Sequence, residues 1–123
     1  MKEIKTLIVD DEWLIRSELK RMLQPLAQVR IVGEASTIAE AASLTEAFHP
    51  DLVFLDLQLG DGLGTEFLNR AKQKFALIYI TAFECDLTPV KHHPALACLS
   101  KPINKEKLYS VMRTLTNGEG VHV

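Results

Sequence analysis

Five polar residues in this sequence each close a short apolar run. Asp10 and Asp11 follow Ile4–Val9, Asp56 follows Leu52–Leu55, Thr81 follows Ala76–Ile80, and Lys101 follows Cys98–Ser100. Three carboxylates brought together would repel one another and raise their pKa values, and a divalent cation relieves that repulsion. Oxygen-only donors with no histidine nearby suit a hard cation such as Mg2+, which takes few protein carboxylates and leaves positions for water or a phosphoryl oxygen. A carboxylate is also a competent nucleophile that forms an aspartyl-phosphate. Asp56 stands alone at the end of its run, which makes it the candidate for that role. Thr81, a hydroxyl donor, and Lys101, a cation, would stabilise charge on a transferring phosphoryl group. Taken singly, each has an ordinary alternative: Asp10 and Asp11 as helix caps, Asp56 as a turn residue, Thr81 as a strand residue, Lys101 as a solvated surface lysine. Their recurrence at successive run ends is what points to a site.

The elements that must position these residues alternate between short β-type runs and amphipathic helices. Ile4–Val9 reads as a strand. Ile15, Leu19, Met22, Leu23 and Leu26 share one face of a helix that Pro25 ends. Val29–Glu34 is the second strand. Thr37 followed by Glu40 has capping-box spacing, opening a helix that buries Ala41, Leu44 and Phe48 before Pro50 stops it. Leu52–Leu55 is apolar on both faces, as in a central strand of a covered parallel sheet. Gly60 to Gly62 is a loop, and Phe67, Leu68, Ala71 and Phe75 mark a third helix. Ala76–Ile80 is the fourth strand. Thr88-Pro89 would start a short helix that Pro94 ends. Cys98–Ser100 is the fifth strand, and Asn104 caps a last helix burying Leu108, Val111, Met112 and Leu115.

Five βα units in this order predict an α/β fold: a doubly wound, flavodoxin-like (βα)5 domain with a five-stranded parallel sheet in the order 2-1-3-4-5. Such sheets form sites beyond the carboxyl ends of their strands, where these five residues lie. Residues 1–117 would form the domain, and 118–123 a tail or the start of a linker.

Composition narrows the functional classes. The chain has 123 residues, 47% hydrophobic and 24% charged, with a net charge of −2. That fits one globular domain and gives no case for nucleic-acid binding by this segment. No apolar run approaches the roughly 20 residues needed to span a bilayer. Cys85 and Cys98 have no metal-ligand spacing. They read most simply as free thiols in a reducing cytosol, with a single disulfide as the alternative. His92 and His93 read as solvent-exposed, and Trp13 as a residue at the core's edge or, alternatively, a partner contact.

The chain resembles the receiver domains of two-component response regulators. The resemblance rests on Asp10-Asp11, "DLVFLDLQL" around Asp56, "ITA" ending in Thr81-Ala82, and "SKPI" with Lys101-Pro102. It covers Lys2 to about Thr116. "VDDEWLIRSEL" with Arg16, "TAF", and the 20-residue step from Thr81 to Lys101 are similar to receivers of LytTR-type transcription regulators. The resemblance implies a phosphorylation-dependent switch. A sensor histidine kinase would donate a phosphoryl group to Asp56. Mg2+ would be held by Asp10, Asp11, Asp56 and the Gln58 backbone carbonyl. Thr81 and Lys101 would contact the phosphoryl group, and a cis peptide bond before Pro102 would aim Lys101.

Further expectations follow from the resemblance. Gln58 and Phe83 would flank the phosphoryl group and tune its lifetime, with Phe83 shielding it from water. Cys98 stands at the switch position, where the family often has an aromatic residue, and a thiol is too small to report the switch in the same way. Gly60 replaces a common proline and loosens its loop. Output would pass through the face around strands four and five to a homodimer or to a DNA-binding domain outside this chain. The early end after the last helix favours a piece of a longer, cytoplasmic protein. The domain would catalyse only its own phosphorylation and dephosphorylation. Competing readings are a pseudo-receiver or atypical protein-binding module and a stand-alone phosphorelay carrier. A haloacid-dehalogenase-type enzyme would want an aspartate where Gln58 stands, and a flavodoxin relative would want a phosphate-binding loop after strand one.

Overall fold

The computed structural model describes residues 2–82 and 95–116. Its elements run β1 (Ile4–Val9), α1 (Trp13–Leu23), β2 (Val29–Ala35), α2 (Ile38–Phe48), β3 (Leu52–Asp56), α3 (Gly64–Arg70), β4 (Ala76–Thr81), β5 (Ala95–Ser100) and α4 (Lys105–Thr116). The five strands form one parallel sheet in the order β2-β1-β3-β4-β5, as the sequence predicts.

Strand alternation sorts the core into two layers. Leu7, Val9, Val53, Leu55, Leu77 and Tyr79 face α2 and α3 and pack with Ile38, Ala41, Phe67 and Leu68. Ile8, Leu52, Phe54, Ile78, Ile80 and Leu99 face the other way, onto Leu19 and Leu23 of α1 and Leu108, Met112 and Leu115 of α4. Every residue of β3 is buried, as a central strand covered on both faces requires.

The helix starts follow their side chains. Thr37 accepts from the Glu40 amide at 3.1 Å, and the Glu40 carboxylate accepts from the amide and hydroxyl of Ser36. Asn104 accepts from the Lys107 amide at 2.9 Å. α1 departs from this pattern: neither aspartate before it caps it, and Glu12 at its N-cap makes no side-chain cap bond.

Several expectations are corrected. Trp13, the first residue of α1, is 70% exposed, which sets aside the core-edge reading and leaves the partner-contact one untouched. Phe48 is 46% exposed at the last position of α2, where His49 takes a left-handed conformation (φ 46°) and turns the chain towards Pro50. The third helix is shorter than its apolar spacing suggests. Ala71 is already extended (φ −76°, ψ 124°), and Phe75 regains its helical-looking contact by stacking on Phe67 at 5.9 Å. The loop after β3 carries a small antiparallel ladder, Gln58–Leu59 with Gly62–Leu63. The fifth strand starts three residues earlier than expected, at Ala95. Cys98 is disulfide-bonded, which overturns the free-thiol reading for that residue; spatial proximity of sulfurs is not encoded in their spacing. The proposed helix between Thr88 and Pro94, together with Phe83, Cys85, His92, His93 and the tail, lies outside the described residues.

Candidate functional site

The register of the sheet brings the strand ends level. Val9 pairs with Leu55, Asp56 with Ile80, and Thr81 with Ser100. Asp10 and Asp11 therefore emerge beside Asp56. Carboxylate oxygens of Asp10, Asp11 and Asp56 all lie within 4.8 Å of one another. Asp10 and Asp56 are buried, and Asp11 is exposed at the mouth. Thr81 is buried at the end of β4, and its carbonyl accepts from the Lys101 amide at 2.8 Å. The peptide bond from Lys101 to Pro102 is cis, as the resemblance implies.

Lys101 is no surface lysine: its side chain is 10% exposed. Its ammonium donates to Asp56 Oδ2 at 2.9 Å and to Glu12 Oε2 at 2.6 Å. Asp10 Oδ2 lies 3.0 Å away, an ion pair whose direction makes no hydrogen bond, so this buried oxygen has no hydrogen-bond partner among the described residues. Burial pushes Asp10 up to about 6, the Asp56 charge adds to the rise, and the Glu12 amide and Lys101 only partly offset it. Burial alone would lower Lys101; hydrogen bonds to Glu12 and Asp56, with the Asp10 charge beside them, outweigh it and hold the ammonium above its ordinary value.

The backbone around the site is shaped by close approach. The Gln58 amide donates to Asp56 Oδ1 at 3.0 Å, and the Gly64 amide donates to the Leu57 carbonyl at 2.9 Å. A Cβ at Gly64 would collide with the Asp56 carbonyl oxygen, so this position accepts no side chain without moving the acid. Asp61 clamps the loop from its far side, both its oxygens accepting from the Ile38 amide at 2.8 and 3.1 Å.

The acid cluster fits a hard divalent cation. Three oxygen donors converge, one of them buried without a hydrogen bond, and no histidine is among them. Of the residues singled out in the sequence, the structure brings Asp10, Asp11, Asp56 and Lys101 together and places Thr81 at the end of the neighbouring strand. Sequence reasoning missed Glu12, whose position next to the acid pair was the available signal. It also missed the use of Arg16, one helical turn later. Arg16 donates to the Asp10 carbonyl at 2.7 Å and is held by Glu34 at 3.1 Å, with Lys20 on the other Glu34 oxygen at 2.7 Å. Gln58 is exposed, and its amide rather than its side chain meets Asp56.

The family model for the response regulator receiver domain matches residues 6–113. The chain belongs to this family. The receiver domain is similar to the sensory transduction protein LytT of Bacillus cereus, 34% identical over 113 residues, covering 89% of this chain and 46% of that protein. It is also similar to the transcriptional regulatory protein BtsR of Escherichia coli, 32% identical over 114 residues, covering 91% of this chain and 48% of that protein. The chain therefore spans about half the length of these curated relatives. Among solved structures, the anti-anti-sigma factor PhyR of Bartonella quintana superposes with a TM-score of 0.80 at 25% identity, covering 97% of this receiver and 51% of that chain. Both regulators and this receiver thus share a domain of two-component signalling. Among the described residues, no helix of the receiver is long and apolar enough to cross a membrane.

Proposed function

We propose that this receiver is a phosphorylation switch in which Asp56 accepts a phosphoryl group from the phosphohistidine of a sensor kinase. One Asp56 carboxylate oxygen attacks phosphorus, the P–N bond to the imidazole breaks, and its electron pair stays on the departing nitrogen. Hydrolysis by water later restores the carboxylate and releases inorganic phosphate. The observation that carries this reading is the ammonium of Lys101, hydrogen-bonded to the buried carboxylate of Asp56 at 2.9 Å beside two further aspartates.

Each residue has a task. β3 presents Asp56 as a rigid post, and the Gln58 amide fixes one of its oxygens. Lys101 neutralises charge that develops on the phosphoryl oxygens, and Thr81 at the end of β4 supplies a hydroxyl donor. Asp10, Asp11, Asp56 and the Gln58 backbone carbonyl would hold Mg2+, which when bound supplies positive charge against the phosphoryl oxygens. Phe83 would shield the product from water. In this reading the domain catalyses only its own phosphorylation and dephosphorylation, in the cytoplasm.

The output follows from charge. A phosphoryl group adds roughly −1.5 to −2 charges in its hydroxyl esters, and a similar change at Asp56 would rearrange the loops after β3 and β4. The altered face around β4 and β5 would bias homodimerisation or a transcription-regulating domain outside this chain. Cys98 is registered opposite Tyr79 on that face and disulfide-bonded, so the signal travels without an aromatic rotamer change at that position.

The test is intact-mass spectrometry after incubation with acetyl phosphate, with and without Mg2+, on the wild type and Asp56→Asn. A single Mg2+-dependent phosphoryl adduct, absent in Asp56→Asn, is expected. An equal adduct on Asp56→Asn would place the chemistry elsewhere. No adduct from acetyl phosphate or from a phosphorylated kinase domain would leave a pseudo-receiver.

A further inference from the structure

Among the described residues, three carboxylates surround the Lys101 ammonium. Two of those carboxylates cannot leave. Asp56 is the phosphoacceptor, with its side chain 6% exposed, and Asp10 has its side chain fully buried. Asp10 Oδ1 is also held by the Glu12 amide at 2.7 Å. The third, Glu12, is different: its side chain is 56% exposed although it makes the shortest contact to the ammonium, 2.6 Å. Glu12 is not among the carboxylates that converge within 4.8 Å, so it lies outside the acid cluster and approaches Lys101 from the solvent side. A phosphoryl oxygen arriving from solvent meets the Lys101 ammonium on the side that Glu12 covers, and of these three carboxylates Glu12 is the one that can swing away into water.

We infer that Glu12 is a gating residue: in the unphosphorylated chain its carboxylate occupies the Lys101 donor that the phosphoryl group takes. The inference rests on the phosphorylation reading above. Two consequences follow. Glu12 places a negative charge at the entrance used by an anionic donor, which slows phosphoryl entry. Its displacement leaves the acid pair undisturbed, because the bond that holds Asp10 comes from the Glu12 backbone amide and not from its side chain. The carboxylate and the amide of one residue thus act separately, the first as a replaceable anion and the second as a fixed strut.

The experiment compares wild type, Glu12→Ala and Glu12→Gln, saturated with Mg2+, by the time course of the phosphoryl adduct formed from acetyl phosphate. Mg2+ affinity is measured in parallel from the fluorescence of Trp13, the single tryptophan, which stands next to Glu12. Both variants are expected to phosphorylate about three- to fivefold faster, the worth of one exposed ion pair, with the Mg2+ dissociation constant moved by less than about twofold. Unchanged or slower phosphorylation of the variants, in a wild type that does take the adduct, would overturn the gate alone. A Mg2+ affinity about tenfold weaker in Glu12→Ala would make Glu12 part of the metal shell and also overturn it. A wild type that binds Mg2+ but takes no adduct from acetyl phosphate or from a phosphorylated kinase domain would remove the phosphorylation reading and this inference with it. Glu12 is exposed, and equal urea midpoints of the three proteins establish that folding is not what changes.

Discussion

The two ends of the sheet carry the same residue types and treat them oppositely. At the strand starts, Asp51 accepts from the Lys5 amide at 2.9 Å, and its own backbone exchanges bonds with Lys5 and Ala76 at 2.7 and 2.8 Å. The Lys5 ammonium reaches the Phe48 carbonyl at 3.2 Å. That end joins β1, α2, β3 and β4 with one aspartate and one lysine. At the strand finishes, three aspartates converge and two of them, with Glu12, crowd one lysine; a buried carboxylate oxygen has no hydrogen bond among the described residues, and Asp10 is pushed up to about 6. The first end is arranged for stability. The second stores unfavourable electrostatics that a cation and a phosphoryl group can use.

The largest effect expected from breaking this contrast is steric. Gly64→Ala should cost about 2–3 kcal/mol in urea unfolding, because a methyl group there collides with the Asp56 backbone. Gly60→Ala, whose nearest neighbour would be an Asp11 oxygen 4.0 Å away, should stay within about 0.5 kcal/mol. Equal costs at both glycines would contradict the close approach at β3.

Next comes the charge itself. Asp10 has a folded pKa of about 6 against an ordinary 3.8, so between those values the folded chain holds the proton more tightly than the unfolded chain. Stability of the metal-free protein should therefore fall as pH rises through that window. Asp10→Asn should flatten that fall and be more stable than the wild type at pH 7.5 by about 1–2 kcal/mol. That is less than the full rise implies, because the ion pair with Lys101 is also lost. The same variant should lose the stabilisation that Mg2+ gives the wild type. Thermal unfolding at pH 5 and 7.5, with and without Mg2+, checks both; a less stable Asp10→Asn at pH 7.5 would mean that the acid cluster is not under strain.

Most of the fold was legible because its signals are periodic. The alternation 52/54 against 53/55 assigns β3 to both core layers, and the stripe from Ile15 to Leu23 assigns α1 its buried face. The site was legible because its residues end strands, and strand ends in this topology meet. What stayed hidden depends on three-dimensional closeness with no period. Phe75 imitates a helical neighbour of Phe67 while lying beyond α3. Trp13 and Phe48 look like core residues but are exposed at helix ends. Glu12 and Arg16 read as ordinary charges of a first helical turn, and only the fold shows one on Lys101 and the other on the Asp10 carbonyl.

Smaller effects sharpen the contrast. Asp51→Ala removes the acceptor for the Lys5 amide at an exposed turn and should cost about 1 kcal/mol, with no change in Mg2+ affinity. A loss of Mg2+ affinity in that variant would show that the two ends are coupled.

The smallest prediction tests the boundary between the two regimes. Glu34 lies on β2 near the acid pair, yet it is satisfied like Asp51: burial would raise it, but Lys20 and Arg16 outweigh that and hold it below its ordinary 4.5. A depressed carboxylate contributes stability that is present above its unfolded pKa and lost as pH falls through the folded one. Its side chain is 33% exposed, so solvent screens much of the pair, and Glu34→Gln should cost only about 0.5 kcal/mol at pH 7. The difference from wild type should vanish as pH drops below 4.5, the opposite slope to that of Asp10. Urea midpoints of both proteins from pH 3 to 7 measure this. A difference that persists at pH 3 would mean that Glu34 acts through packing rather than charge. Because Arg16 keeps its bond to the Asp10 carbonyl in this variant, Mg2+ affinity should move far less than stability; a larger loss of metal binding would instead make the Glu34–Arg16 pair a working part of the acid site.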